Sequence, residues 1–186
     1  MTSTENASKT ATKSVVAARE KCHILYEGER TDHRSCGIAL AETFDLPTAS
    51  YQALRKGGIT GRGPCGAIQA GRLVLGELLG DPSPTGATTK ALIQAVQHYD
   101  SKVYAIPALR PPAPGPAPEN GPDVVCNTLT GRFPIFNSPE RHRMCTAIAR
   151  DVAGLVAEVL TTGGHAFTVS AIADVDDFDP DSPNAV

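Results

Sequence analysis

The segment Gly57-Gly58-Ile59-Thr60-Gly61-Arg62-Gly63-Pro64-Cys65-Gly66-Ala67-Ile68-Gln69-Ala70-Gly71-Arg72-Leu73-Val74-Leu75-Gly76 leads from a glycine-rich loop, through one proline and one cysteine, into an apolar run of small residues. Proline is favoured at the first position of a helix, where its missing N–H would have had no partner. This order predicts Gly63 as the cap, Pro64 as the first helical residue and Cys65 as the next, with the helix continuing to about Leu79. A thiol placed there faces unpaired backbone N–H groups and the positive end of the helix dipole, and both favour thiolate. Ala67, Ala70, Gly71, Val74 and Leu78 line one side of the helix, and Ile68, Leu75 and Leu79 another. Glycine inside a helix costs roughly 1 kcal/mol against alanine. Gly66, Gly71 and Gly76 therefore call for close approach of a neighbouring backbone or of a bound group.

Helical spacing dominates on both sides of this segment. Val15, Val16, Ala18, Cys22, Leu25 and Tyr26 recur at helix period between Ala11 and Tyr26. Ser35 is placed to cap a second helix with Cys36, Ala39, Leu40, Thr43 and Phe44 on one face, and Thr48 a short third one through Arg55. Leu92, Ile93, Val96 and Tyr99 predict a helix from about Thr88 to Tyr104, and Asp123 to Gly131 a short one bearing Cys126 and Leu129. Ser138 and Pro139 open the last helix, which runs to about Thr162. Its stripe of Cys145, Ile148, Ala149, Val152, Leu155, Val156 and Val159 is unbroken. The expected fold is all-α, a small multi-helix bundle. A flexible leader over 1–13 is expected before a helical domain over 14–163, interrupted by a Pro-rich insertion over 107–122. An acidic tail over 164–186 follows, in which Ala166 to Ala173 adds a short strand or clip and Asp174 to Asp181 is disordered. The tail lacks the glycine and terminal glutamate of a calcium loop.

Composition narrows the function classes. The chain has 186 residues, 41% apolar and 20% charged, which fits one soluble globular domain with a real core. A net charge of -3 gives no reason to expect nucleic acid or an anionic membrane as partner. There is no membrane-spanning apolar run, and the leader has no apolar core, so a cytoplasmic location is expected. The five cysteines, at 22, 36, 65, 126 and 145, are odd in number and widely spaced, unlike a secreted disulfide scaffold. No CxxC pair is present, which excludes the zinc-ribbon and thioredoxin patterns, and no CxxCH is present for covalent haem. The glycine loop lacks the Gly-Lys-Ser/Thr ending of a phosphate-binding loop. No paired carboxylates or Ser/His/Asp arrangement offer a substrate chemistry, so whether the protein is an enzyme stays open.

Four cysteine segments share a wider pattern. These are Ser35-Cys36-Gly37-Ile38-Ala39, the run from Gly57-Gly58 through Cys65-Gly66-Ala67 and Gly71 to Leu75-Gly76, Cys126-Asn127-Thr128-Leu129-Thr130-Gly131-Arg132-Phe133, and Cys145 in the last helix. In order and neighbours they resemble the C_GCAxxG_C_C family, described as redox-active proteins, over roughly Ala17 to Leu160. Three departures stand out. The glycine after the second cysteine sits one place later, as Gly71 behind Ala70; the Pro-rich insertion is long; and Cys22 is additional. The resemblance implies a shared site of Cys36, Cys65, Cys126 and Cys145. Soft thiolates in that number suit an iron–sulfur cluster or zinc. Gly63 and Gly66 would bring backbone N–H groups to the sulfurs, and Arg62 and Arg132 flank them with positive charge. Dithiol–disulfide exchange is the other chemistry, with Cys65 as nucleophile and Cys36 resolving it. Either role implies a redox partner protein, and self-association stays open. The reading from another class is a non-catalytic binding or assembly module whose cysteines hold a structural metal. Cys22 reads as a half-buried structural residue and His142 as a surface histidine near the site.

Overall fold

A computed structural model describes residues 3–81, 86–110 and 122–172, with the backbone alone for 3–11. Six α-helices follow one another: α1 (Ser3–Glu27), α2 (Cys36–Thr43), α3 (Gly66–Leu79), α4 (Gly86–Val103), α5 (Cys126–Thr130) and α6 (Pro139–Thr162). Two 3-10 turns, Ala49–Leu54 and Pro107–Leu109, complete the regular structure. Among the described residues the only β pairing is one isolated antiparallel bridge between Pro64 and Val125. The fold is all-helical, as the periodicity predicts. None of its described helices is long and apolar enough to cross a membrane.

The backbone of the bundle is the pairing of α1 with α6, the most extensive helix contact in the molecule. Small side chains make it close: Ala18 and Cys22 on α1 are fully buried, as are Ala149, Val152, Ala153 and Val156 on α6. At Gly154 a methyl group would stand 2.3 Å from Nε of Arg19, so the glycine lets the Arg19 stem lie across α6. The helix α2 and the Ala49–Leu54 turn pack with α3 on one flank of this pair, and α4 closes the other side against α3 and α6. Tyr99 of α4 is fully buried and donates its hydroxyl to the Ile68 carbonyl at 3.0 Å. A Cβ at Gly71 would lie 2.4 Å from that hydroxyl. Gly71 thus serves helix packing and not the cysteines. A Cβ at Gly76 would meet nothing within 4 Å.

Three boundaries differ from the sequence reading. The helix α1 begins at Ser3, where a flexible leader was expected. No proline or glycine interrupts the chain before Gly28, and Gly28 ends α1 with a φ of +75°. The Pro-rich insertion opens as a folded turn: Leu109 is fully buried, and Arg132 donates to the carbonyls of Leu109 and Arg110 at 2.9 and 3.2 Å. Residues 111–121 lie outside the described residues, as do 173–186 with the acidic run. The tail's first part is a clip rather than a strand. Phe167 meets Phe44 at 6.0 Å between ring centroids, and Ser170 donates its N–H and hydroxyl to Asp45 at 3.0 and 2.8 Å. Lys21 holds the other Asp45 oxygen at 2.6 Å.

Candidate functional site

Four elements carry one matching cysteine each: Cys36 opens α2, Cys65 precedes α3, Cys126 opens α5 and Cys145 lies on α6. A backbone pairing between segments some sixty residues apart in sequence brings the Cys65 and Cys126 segments together. Cys65 donates its N–H to Val124 at 2.7 Å, Cys126 to Gly63 at 3.0 Å and Asn127 to Gly61 at 2.8 Å. These bonds hold Pro64 in the β-bridge, so the chain is extended where a helix start was expected. Gly63 is therefore not the cap and Cys65 is not inside the helix. Cys65 itself is the N-cap residue, and α3 begins at Gly66.

The glycine loop is shaped around the cysteines. A Cβ on Gly57 would come 2.4 Å from Cβ of Cys126, and one on Gly61 would come 1.8 Å from Oδ1 of Asn127. Gly66 is the tightest at the site, its added Cβ falling 2.1 Å from the Leu54 carbonyl oxygen and 2.7 Å from Sγ of Cys36. Gly57 and Gly61 also have φ values of +58° and +75°, which L side chains rarely adopt. Gly57 and Gly66 thus make room at Cys126 and Cys36, and Gly61 at Asn127.

The four thiols lie close enough for each ionised sulfur to oppose its neighbours. Burial is the main cause that raises every one of them, and the other thiols add to it at Cys36, Cys65 and Cys126. Cys36 is pushed up to about 11, with the N–H groups of Gly37 and Lys56 acting in the opposite sense. Burial drives Cys65 upward too, and the N–H groups of Ile68 and Ala67 only partly offset it. The dipole-activated thiolate expected at Cys65 is therefore overruled by desolvation. Cys145 is raised by burial, against the pull of Arg141 and of the Tyr26 hydroxyl, which donates to its sulfur. Arg141 and Lys56 likewise favour the thiolate of Cys126.

The sequence reading named different cations for this role. The Arg62 side chain is exposed, and Arg132 is spent on the Leu109 and Arg110 carbonyls. Arg141 was legible in principle, since it precedes Cys145 by four residues and shares its helix face. Lys56 and Tyr26 carried no such signal. His142 proves to be a partner of the site rather than a lone surface group: its ring lies 5.4 Å from Tyr26 and 5.4 Å from His33, and its Nε2 is 3.1 Å from the Glu27 carbonyl oxygen. Cys22 is fully buried, not half-buried. Burial raises it to about 12, with a hydrogen bond to Thr43 acting in the opposite sense.

These shifts predict an alkaline weakness. Thiols with raised pKa add stability that is complete below their unfolded pKa, near 9.0, and that is lost as pH rises toward the folded values. The metal-free chain should lose on the order of 5 °C or more in Tm between pH 8 and pH 11. The loss should be smaller in Cys36→Ala, which thermal melts across that range will read.

The donor set can be tested against the groups it was expected to hold. A single zinc ion needs sulfurs about 2.3 Å from it, hence within roughly 4 Å of one another. Among the described residues no three His, Cys, Asp or Glu side chains stand close enough to hold an ion, and the cysteines are all free thiols. The site is not preformed for one ion. A multi-iron cluster spreads its four thiolates more widely. Two buried polar atoms beside the thiols also lack a hydrogen-bond partner: Oγ of Ser35, next to Cys36, and Nε of Arg141, next to Cys145. Buried polar groups in native folds are nearly always paired. Four soft donors, an unpaired Ser35 hydroxyl and a glycine cradle suit an anionic cluster with sulfide atoms.

No protein-family model, curated protein or solved structure matches the chain.

Proposed function

We propose that this protein carries electrons through an iron–sulfur cluster held by Cys36, Cys65, Cys126 and Cys145. The observation that carries the reading is that four thiols from four separate elements act electrostatically on one another beside a glycine-rich loop. When bound, such a cluster supplies reversible one-electron transfer. The chain's own groups have distinct parts. The four thiols would lose their protons on binding, and their bonds to iron would offset the cost of burying thiolates. Arg141 and Lys56 favour the anionic form, and Gly66 lets Sγ of Cys36 approach the start of α3.

Disulfide exchange is less well served by this geometry. The attacking species is the thiolate, and exchange is fastest when its pKa lies near ambient pH. Burial raises all four thiols instead. Anaerobic reconstitution of the full chain with ferrous iron and sulfide tests the choice, read by visible absorption, iron and sulfide assay and thiol titration. The expected product is brown, bleaches on reduction and retains both iron and sulfide. A colourless protein whose free thiols fall by two on mild oxidation would replace the cluster with a dithiol relay. A colourless protein with unchanged thiols would end the shared-site reading.

A further inference from the structure

We infer that the face formed by the Gly57–Gly63 loop and the 131–138 turn is the docking surface for an acidic electron-carrier protein, with Phe136 at its centre. This inference rests on the redox reading above and supplies the kind of partner that reading requires.

Apolar exposure is concentrated on this face. Ile135 is 65% exposed, Ile59 59% and Phe136 45%, three of the six large apolar side chains most open to solvent among the described residues. Exposed apolar groups that cluster, unlike those scattered singly, mark contact sites. Phe136 is also held in place. The Lys56 ammonium stands 4.8 Å and the Arg141 guanidinium 4.3 Å from its ring centroid. An aromatic anchor bracketed by cations is the side-chain type that dominates binding energy at interfaces. Ile59, three residues beyond Lys56, is held exposed at a φ of +71°. Such a backbone is a genuine outlier for a β-branched residue, and strain of this kind gathers at functional loops. Hydrogen bonds from Ile59 N–H to Arg55 at 2.6 Å and from Gly61 N–H to Lys56 at 2.9 Å keep the loop in that shape.

Charge selects the occupant. The segments 55–63 and 131–138 carry Arg55, Lys56, Arg62 and Arg132, with Asp123 the exposed carboxylate that faces Arg132, in a chain whose net charge is -3. Arg141 adds to them at the Phe136 ring. A cationic face around an apolar anchor steers and orients an anionic partner. Its position is apt. Gly57 lies against Cys126 from beneath the same loop, and the two cations on Phe136 are those that act on the Cys126 thiol. A partner seated here lies over the loop that packs on Cys126.

The probes are two acidic carriers, a plant-type ferredoxin and a flavodoxin, titrated by calorimetry into the full chain at low and high salt. At least one should bind, and its Kd should weaken tenfold or more at high salt. Lys56→Glu should weaken it about tenfold and Phe136→Ala severalfold, while Ile93→Ala, an exposed apolar position on α4, should leave it unchanged. Failure of both carriers to bind overturns the proposal. So does binding that Lys56→Glu and Phe136→Ala leave untouched. Binding is read without electron transfer, so a chain that binds the carrier but takes up no cluster would count against the redox reading and not against the surface.

Discussion

Gly66→Ala should cost about 3 kcal/mol and disable the site together with the fold. The added methyl would lie 2.1 Å from the Leu54 carbonyl oxygen and 2.7 Å from Sγ of Cys36. Neither neighbour can yield cheaply. The carbonyl is backbone at the end of the Ala49–Leu54 turn, and Cys36 is held at the start of α2. Overpacking a tight interior typically costs 1–3 kcal/mol, and a clash with backbone belongs at the upper end. For a chain of this length that loss lowers Tm by roughly 6–12 °C. A calorimetric Tm within 2 °C of the parent would show that α3 slides freely against α2. Gly76→Ala is the control, since its methyl meets nothing within 4 Å and should raise stability by about 1 kcal/mol.

Cys65→Ser should abolish iron and sulfide retention while Cys22→Ser leaves both intact. Serine keeps the shape of the side chain but replaces a soft donor with a hard one that does not ionise at neutral pH. Cys65 feels both Cys36 and Cys145 and is fixed through its N–H to the Val124 carbonyl at 2.7 Å. Cys22 is turned into the α1 core and hydrogen-bonds to Thr43. Cys22→Ser should therefore cost about 1–2 kcal/mol in stability and nothing in cluster content. Iron and sulfide assays with a thermal melt separate the two outcomes. Damage to the site from Cys22→Ser alone would mean that the wrong four cysteines have been grouped.

The sequence discloses the helices better than the site. The last helix is legible to the residue, because its start is local chemistry: Ser138 accepts from the Arg141 N–H at 3.2 Å and Pro139 follows it. Its buried stripe obeys the same 3.6-residue period that the side chains display. Ser35 also occupies the cap position of α2, yet its hydroxyl bonds to no helical N–H. The Gly63-Pro64-Cys65 start fails for a different reason. Proline at the head of a helix is a local preference, and here it loses to backbone pairing with Val124 and Cys126, which no periodicity announces. The same non-local step decides the electrostatics. The composition of the loop gives Arg62 and Arg132 as cations near the thiols, but only the fold shows that Arg132 holds carbonyls and that Lys56 and Arg141 stand at the sulfurs. Burial likewise reverses the ionisation expected of Cys65.

The pairing of α1 with α6 also sets a timetable for the chain. The two helices are separated by about a hundred residues, so bringing them together closes a long loop whose entropy must be overcome before their contacts repay it. During synthesis α1, α2 and α3 emerge with their apolar faces uncovered, and Cys36 and Cys65 with them. Cys145 arrives only with α6, the element that completes the core. The four thiols can therefore come together only once α6 has been made. Insertion of the proposed cluster would be confined to the finished protein, and a chain truncated before α6 would lack Cys145.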